Sequence, residues 1–170
     1  MQSVSPDGKY LLYGINDIMT LPLTGDRKRE AYLETKYRGR DATFSPDGRW
    51  VAYASDESGR FEIYVQGFPE RRGKWLVSAD GGVRPAWRAD GKELYWVGPD
   101  GTLMAASVEL QAAGVRMGRA EALFRLPVGW GIPLFQAGRD GRRFLVYEPE
   151  GGQMDRPMVV VENWAARLGR

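Results

Sequence analysis

The chain has 170 residues, of which 43% are hydrophobic, enough to build a sizeable core. Its net charge of +2 comes from acidic and basic residues mixed along the length, which indicates neither a nucleic-acid-binding patch nor a membrane-inserting segment. It contains no histidine and no cysteine, so a Ser-His-Asp triad, a Cys-His pair, an imidazole or thiolate metal site and disulfides are all excluded. We therefore expect a protein that is not an enzyme and that carries no metal or cofactor.

Short turns with an Asp-Gly pair recur along the chain at intervals of roughly 40 to 50 residues. The pairs are Asp7 and Gly8, Asp47 and Gly48, Asp90 and Gly91, and Asp140 and Gly141. An apolar or aromatic run follows each turn, and this period of short strands and turns is typical of β-propeller blades. The aspartates could be read as calcium ligands or general acids. Local hydrogen bonding by Asp and left-handed backbone at Gly instead favour hairpin turns.

The period divides the chain into four predicted blades, at residues 1–36, 37–79, 80–127 and 128–170. In the first blade we predict strands at 10–14, 18–22 and 29–33. Only Gln2, Ser3 and Val4 lie between Met1 and its turn, which is barely enough for an inner strand. We therefore expect the chain to be the C-terminal piece of a longer propeller whose missing strand lies upstream of Met1.

The second blade gives the clearest pattern, with predicted strands at 41–44, 49–55, 61–65 and 74–78. The strand at 49–55 carries apolar residues on both faces, as expected of a strand held between two neighbouring blades. Trp50, Trp75, Trp87 and Trp96 all fall in predicted strands, and we expect them to pack between blades.

In the third blade we predict strands at 83–87, 92–97, 102–109 and 121–125, with a long connection over 110–120. The fourth has predicted strands at 131–136, 142–148 and 157–161, followed by a short helical turn at 163–168 and no fourth strand. The sequence therefore predicts an all-β propeller of about four four-stranded antiparallel blades, with the first and last incomplete.

Four residues fall in connections that enter inner strands, where the central channel of a propeller opens. They are Arg38, Arg40, Arg84 and Trp130. Together they could line a cationic funnel with an aromatic edge, which would favour an anionic ligand or an acidic peptide segment. The alternative is that they are solvated loop residues with no shared target.

A resemblance to a known family rests on the Ser-Pro-Asp-Gly turns and the aromatic-rich strands after them, which resemble the blade signature of TolB-type, WD-like β-propellers. A set of segments in order is more specific, and it resembles the C-terminal propellers of certain bacterial membrane-bound serine/threonine protein kinases. The segments are 44–53, 56–59, 62–65, 73–75, 80–82, 87–95 and 159–164. One departure is the fourth turn, which begins Gly138-Arg139 and should form a looser corner.

This resemblance implies a non-catalytic ligand- or protein-binding sensor on the extracytoplasmic side, with the kinase domain elsewhere. The same turns occur in propellers that gate prolyl-oligopeptidase-like peptidases, so that function stays open, as does a self-assembling structural fragment. The ending at 163–164 counts against the peptidase, whose catalytic domain should follow the propeller. An open arc leaves strand edges and blade faces uncovered, so we expect a homo-oligomer that closes a ring of about eight blades.

Overall fold

A computed structural model describes residues 3–111, 114–127, 135–147 and 158–162 of the chain. Within these ranges the protein forms four antiparallel β-sheets and contains no helix. The described residues therefore include no helix that could span a membrane. Each sheet is one blade of a propeller.

The first blade consists of β1 (Ser3–Val4), β2 (Tyr10–Tyr13), β3 (Met19–Pro22) and β4 (Glu30–Ala31). The strands pair in sequence order, and β1 pairs with β2 although it has only two residues. The short inner strand that the sequence suggested is therefore present, and the blade is complete but with shortened inner and outer strands.

The second blade consists of β5 (Gly39–Phe44), β6 (Trp50–Ser55), β7 (Glu62–Gly67) and β8 (Lys74–Leu76). All residues of β6 are buried. This burial is the result expected for a strand with apolar side chains on both faces, because each face packs against a different neighbour.

The third blade contains five strands: β9 (Val83–Trp87), β10 (Glu93–Val97), β11 (Thr102–Gln111), β12 (Gly114–Met117) and β13 (Glu121–Arg125). The long connection predicted over 110–120 contains a strand that was not predicted, β12, and β11 continues to Gln111. The first half of β11 pairs with β13 and its second half pairs with β12. The second half of β11 and β12 therefore form a hairpin that extends beyond the rest of the blade.

In the fourth blade the described strands are β14 (Phe135–Ala137), β15 (Arg143–Tyr147) and β16 (Met158–Glu162), paired in that order. The first part of the predicted inner strand, at 131–134, and the predicted helical turn at 163–168 lie outside the described residues.

Three hydrophobic cores lie between successive blades. Along β6, Val51 and Tyr53 belong to the core shared with the first blade, whereas Trp50 and Ala52 belong to the core shared with the third. Strand β10 alternates in the same way between the cores on either side of the third blade. Two predicted core tryptophans, Trp50 and Trp96, are buried, and Trp75 and Trp87 are half-buried against the same core.

The four Asp-Gly turns join β1 to β2, β5 to β6, β9 to β10 and β14 to β15. In each, the Asp carboxylate accepts a hydrogen bond from the backbone N–H two residues later, at 3.0 to 3.1 Å. Each turn glycine has a φ between 68° and 72°, in the left-handed region that favours glycine. These residues therefore hold the hairpin turns in shape.

Candidate functional site: the channel between the inner strands

The first strand of each blade lies beside the first strand of the next, and these inner strands line one cavity of about 600 Å³. Its wall is formed by Val4, Pro6, Thr43 to Pro46, Arg84 to Trp87, and Phe135 to Ala137. All four described blades contribute to this wall. The cavity therefore lies on the axis side of the propeller, where the channel was expected.

Arg84 is the cation in this wall, and an irregular strand places it there. The pairing of β9 with β10 shifts register between Tyr95 and Val97, and Arg84 has a φ of 55°. Asp41 holds the corresponding place in β5, again at a register shift and with a φ of 56°. A bulge of this kind re-aims one side chain of a strand, so the irregular backbone determines where Arg84 lies.

The guanidinium of Arg84 lacks a partner among the described residues. Its Nε–H is buried and donates no hydrogen bond to any group within the described ranges. A guanidinium stays protonated in proteins and carries five N–H donors. Because a buried donor without an acceptor is costly, an acceptor in the cavity would stabilise this arrangement, and an anion would do so most strongly.

Arg38 and Arg40, which the sequence grouped with Arg84, lie elsewhere and are already paired. The backbone N–H and Nε of Arg38 both donate to the Asp56 carboxylate at 2.7 Å, and Nε of Arg40 lies 3.0 Å from the Asp41 carboxylate. The Arg38 side chain, through its hydrogen bond, lowers the pKa of the Asp56 carboxyl below its ordinary value. Neither arginine lines the cavity that contains Arg84.

One aromatic ring brings Arg38 and Arg40 together. Their guanidinium carbons lie 5.1 and 5.7 Å from the centroid of the Phe61 ring, within the range of a cation–π interaction. The sequence did not identify Phe61 as a partner of the two arginines, because Phe61 follows a turn in the second blade and lies far from them along the chain. Trp130, the fourth predicted residue, lies outside the described residues, and its place in the channel stays a prediction.

Polar and aromatic residues that the sequence did not single out complete the cavity wall. Thr43 and Gln136 come from the inner strands of the second and fourth blades, on either side of Arg84 in the third. The indole Nε1 of Trp87 donates to the Thr43 carbonyl at 3.4 Å, which ties the inner strands of two blades together. Among the described residues, the wall combines one cation, three neutral polar residues and aromatic edges, which suits a small ligand with an anionic group.

No protein-family model matches the chain, and no curated protein matches its sequence significantly. Solved structures do match it. TolB from Acinetobacter baumannii is 22% identical with a TM-score of 0.67, over 88% of this chain and 37% of that one. The Cps50 (Swd1) β-propeller domain from Myceliophteria thermophila is 16% identical with a TM-score of 0.61, over 98% of this chain and 58% of that one.

A third match is a puromycin-hydrolysing peptidase from Mycobacterium tuberculosis, 18% identical with a TM-score of 0.60, over 85% of this chain and 27% of that one. The chain thus spans well under two thirds of the length of each of these proteins. Together with the four antiparallel sheets, these likenesses confirm the predicted all-β propeller class.

Proposed function

We propose that the chain is a non-catalytic binding module that holds an anionic ligand in its channel. The observation that supports this function best is the buried Nε of Arg84, which lines a cavity of about 600 Å³ and has no partner among the described residues. A carboxylate or phosphate group would accept two parallel hydrogen bonds from the guanidinium. Thr43 and Gln136 would contact the rest of the ligand, and the blades would serve as a rigid scaffold.

Isothermal titration calorimetry with two probes, inorganic phosphate and a short peptide of glutamates, tests this function. The native chain should bind at least one of them, and Arg84→Gln should weaken that binding about tenfold to a hundredfold, as expected for a hydrogen bond to a charged group. Arg84→Lys keeps the charge but loses the planar guanidinium, so its affinity should lie between those of the native chain and Arg84→Gln. Lys28→Gln is the control, because Lys28 is exposed in the first blade and does not line the cavity that contains Arg84. Equal binding by the native chain and Arg84→Gln would contradict the proposal.

For the wider setting, we propose the extracytoplasmic sensor part of a receptor-type bacterial serine/threonine kinase. The ordered segments that resemble such propellers support this setting. Ligand capture in the channel would then be the event that the receptor detects. The parent gene tests the idea: a membrane span and kinase motifs encoded upstream of this segment would support it, and their absence from the parent gene would contradict it.

A second candidate is the gating propeller of a peptidase, and the structural likeness to the puromycin-hydrolysing peptidase favours it. In that case the channel would admit short peptides to a hydrolase domain encoded in the same gene. A Gly-x-Ser-x-Gly elbow with a downstream histidine in the parent gene would distinguish this function from the receptor.

We also propose that the chain associates with itself through the outer face of the first blade. Leu12 packs against the second blade, and the strand register puts Val4, Leu11 and Leu21 together on the opposite face. Val4 is 54% exposed. The last blade of a second copy would cover this apolar face, and two arcs would close a ring of about eight blades.

Light scattering after size-exclusion chromatography, over a range of concentrations, tests the association. The native chain should give a dimer or a larger closed species, and Leu11→Asp should give a monomer. Lys28→Asp, an exposed change away from that face, should leave the mass unchanged. A native monomer at every concentration would contradict the proposal.

A further inference from the structure

Among the described residues, the second half of β11 has a β-strand on one side only. Strand β10 pairs with β11 from Val97 opposite Leu103 to Glu93 opposite Ser107. The last hydrogen bond between these two segments runs from the Val108 N–H to the Lys92 carbonyl, at 2.8 Å. Beyond that point the chain of the third blade bends away into its Asp-Gly turn. Residues 109–111 therefore pair with β12 alone.

The register shows which backbone groups lie on the unpaired edge. The Gly118 N–H donates to the Ser107 carbonyl, so the backbone of Ser107 points toward the hairpin. Pointing direction alternates along an antiparallel strand, and so Glu109 and Gln111 also bond toward β12. Leu110 points the opposite way, like Val108, whose N–H reaches Lys92. The N–H and C=O of Leu110 therefore face away from β12 and have no strand partner among the described residues.

A cavity of about 860 Å³ runs along this edge. Residues 107–111 form one wall, the turn of the second blade at 46–49 forms another, and the turn of the third blade at 90–92 closes the end next to β10. The cavity thus lies along the unpaired edge of β11, beyond the end of β10 at Lys92. It is a different cavity from the one that contains Arg84, although Pro46 lines both.

We propose that this edge binds an extended peptide segment of a partner protein by strand addition. The peptide would pair with Leu110 through an N–H and a carbonyl, as in other cases where a strand joins an open sheet edge. The N–H and C=O of Leu110 point to the same side, as in a residue that exchanges two hydrogen bonds with one residue of an antiparallel strand. An extended peptide presents a carbonyl and an N–H at the spacing needed to pair with both.

Side chains at the two ends of the cavity add selectivity. Lys92 lies at the end next to β10, where its charge also acts on the Asp90 carboxylate, and Glu109 lies on β11. A peptide with an acidic residue near Lys92 would gain a charge-assisted contact there. The apolar side chains of Val108 and Leu110 belong to the core shared with the second blade, which fixes the strand that the peptide would join.

The test uses a phage-displayed library of random linear peptides, selected against the whole chain and followed by fluorescence anisotropy with synthetic copies of the selected peptides. Leu110→Pro removes the outward N–H together with the leucine side chain, and it keeps the backbone groups of Glu109 and Gln111 that bond toward β12. Leu110→Ala removes the same side chain but keeps the N–H, so it is the matched control. We expect Leu110→Pro to lose at least about tenfold in affinity, as one backbone hydrogen bond is lost and a clash is added, while Leu110→Ala binds nearly as the native chain does.

Hydrogen exchange gives a second, independent measurement. In the native chain alone the Leu110 amide should exchange faster than those of Glu109 and Gln111, and bound peptide should slow it. Fast exchange at Glu109 in Leu110→Pro would show that the substitution disrupts the hairpin. In that case the native chain is tested with peptides that are N-methylated at alternate residues. One of the two methylation patterns should abolish binding. Selection of no peptide, equal binding to both Leu110 variants, or indifference to both methylation patterns would overturn the proposal.

Discussion

Pro6 in the turn of the first blade lies directly against Gly48 in the turn of the second, where a Cβ atom would be 3.3 Å from the proline Cδ. The same contact recurs one blade on, where Pro46 lies 3.6 Å from the position of a Cβ at Gly91. The proline and glycine of the repeated turn therefore serve neighbouring blades as well as their own hairpin. At the next boundary the chain has no proline, and Arg88 takes that place beside Gly141.

The contact at Gly141 predicts a larger penalty for a methyl group there than at Gly8. Gly141 and Gly8 have φ angles of 68° and 72°. Alanine in this left-handed conformation costs about 1 kcal/mol of conformational free energy at either position. At Gly141 the methyl group would also lie 2.6 Å from the Tyr95 hydroxyl and 2.8 Å from Cδ of Arg88, whereas nothing lies within 4 Å at Gly8. We expect Gly141→Ala to lower the free energy of unfolding by about 1–3 kcal/mol more than Gly8→Ala does. Urea denaturation of the two variants gives the difference, and equal losses would contradict the contact.

A buried carboxylate gives a second prediction. Glu62 is 3% exposed and accepts hydrogen bonds from the Ser78 hydroxyl, the Gly81 N–H at 2.9 Å and the Arg60 Nε at 2.6 Å. The Ser78 hydroxyl oxygen also accepts from the Ile63 N–H at 2.7 Å. Ser78→Ala would leave the buried Ile63 N–H without this acceptor, and it would remove one hydrogen bond from the buried Glu62 carboxylate.

The expected loss from Ser78→Ala is about 2 kcal/mol of unfolding free energy, measured by urea denaturation. Ser58→Ala is the control, because the Ser58 hydroxyl makes an exposed hydrogen bond, to the Arg60 carbonyl at 3.2 Å. It should change stability by less than about 0.5 kcal/mol. A Ser78→Ala loss no larger than that of the control would show that the network does not stabilise the fold.

The third turn predicts a pH effect. The Arg88 side chain donates to both carboxylate oxygens of Asp90, at 2.7 and 2.8 Å, and these hydrogen bonds lower the pKa of Asp90 to about 2. Because the folded-state pKa lies below the ordinary value of 3.8, the stabilising contribution is complete above that value and disappears as the pH falls through about 2.

Carboxyl carbon chemical shifts in an NMR titration measure the pKa of Asp90 directly. Arg88→Gln should raise it toward the ordinary value, and Lys28→Gln, a change to a distant exposed cation, should leave it unchanged. An ordinary pKa for Asp90 in the native chain would contradict the bidentate pairing.

A fourth prediction concerns the hairpin of the third blade. Trp75 packs edge-on against Trp50, with ring centroids 5.5 Å apart, and a Cβ at Gly114 in β12 would lie 2.8 Å from the Trp75 ring. Trp75→Ala should therefore cost about 3 kcal/mol and speed hydrogen exchange in the hairpin. Leu76→Ala, at a neighbouring side chain that is 52% exposed, should change neither measurably. Unchanged exchange in the hairpin of Trp75→Ala would show that the second blade does not hold it.

Local patterns predicted most of the fold because a blade is built from local hairpins. The predicted strands at 83–87 and 121–125 agree with β9 and β13 to the residue. Asp-Gly pairs at 80–81 and 90–91 mark β9, and a short apolar run between charged residues marks β13. Strand β12 was missed because it has four residues and begins at Gly114, so it has no alternation long enough to distinguish it from a loop.

The candidate site could be predicted only in part, because it depends on contacts between blades. The sequence placed Arg84 at the channel, but the bulge that aims it has no marker in a single sequence. It also could not show that Arg38 is neutralised by Asp56, since that pairing joins a connection between blades to a turn within a blade. That Arg84 has no partner among the described residues could be recognised only from the structure.

The separation of the cores on the two sides of the second blade has a mechanical consequence. The side chains that join it to the first blade are a different set from those that join it to the third. A blade at one end can then detach while the next interface keeps all of its contacts, as in linear repeat proteins whose stability is a sum over neighbours. Under a pulling force applied to its two ends, the chain should lengthen in steps of one blade each.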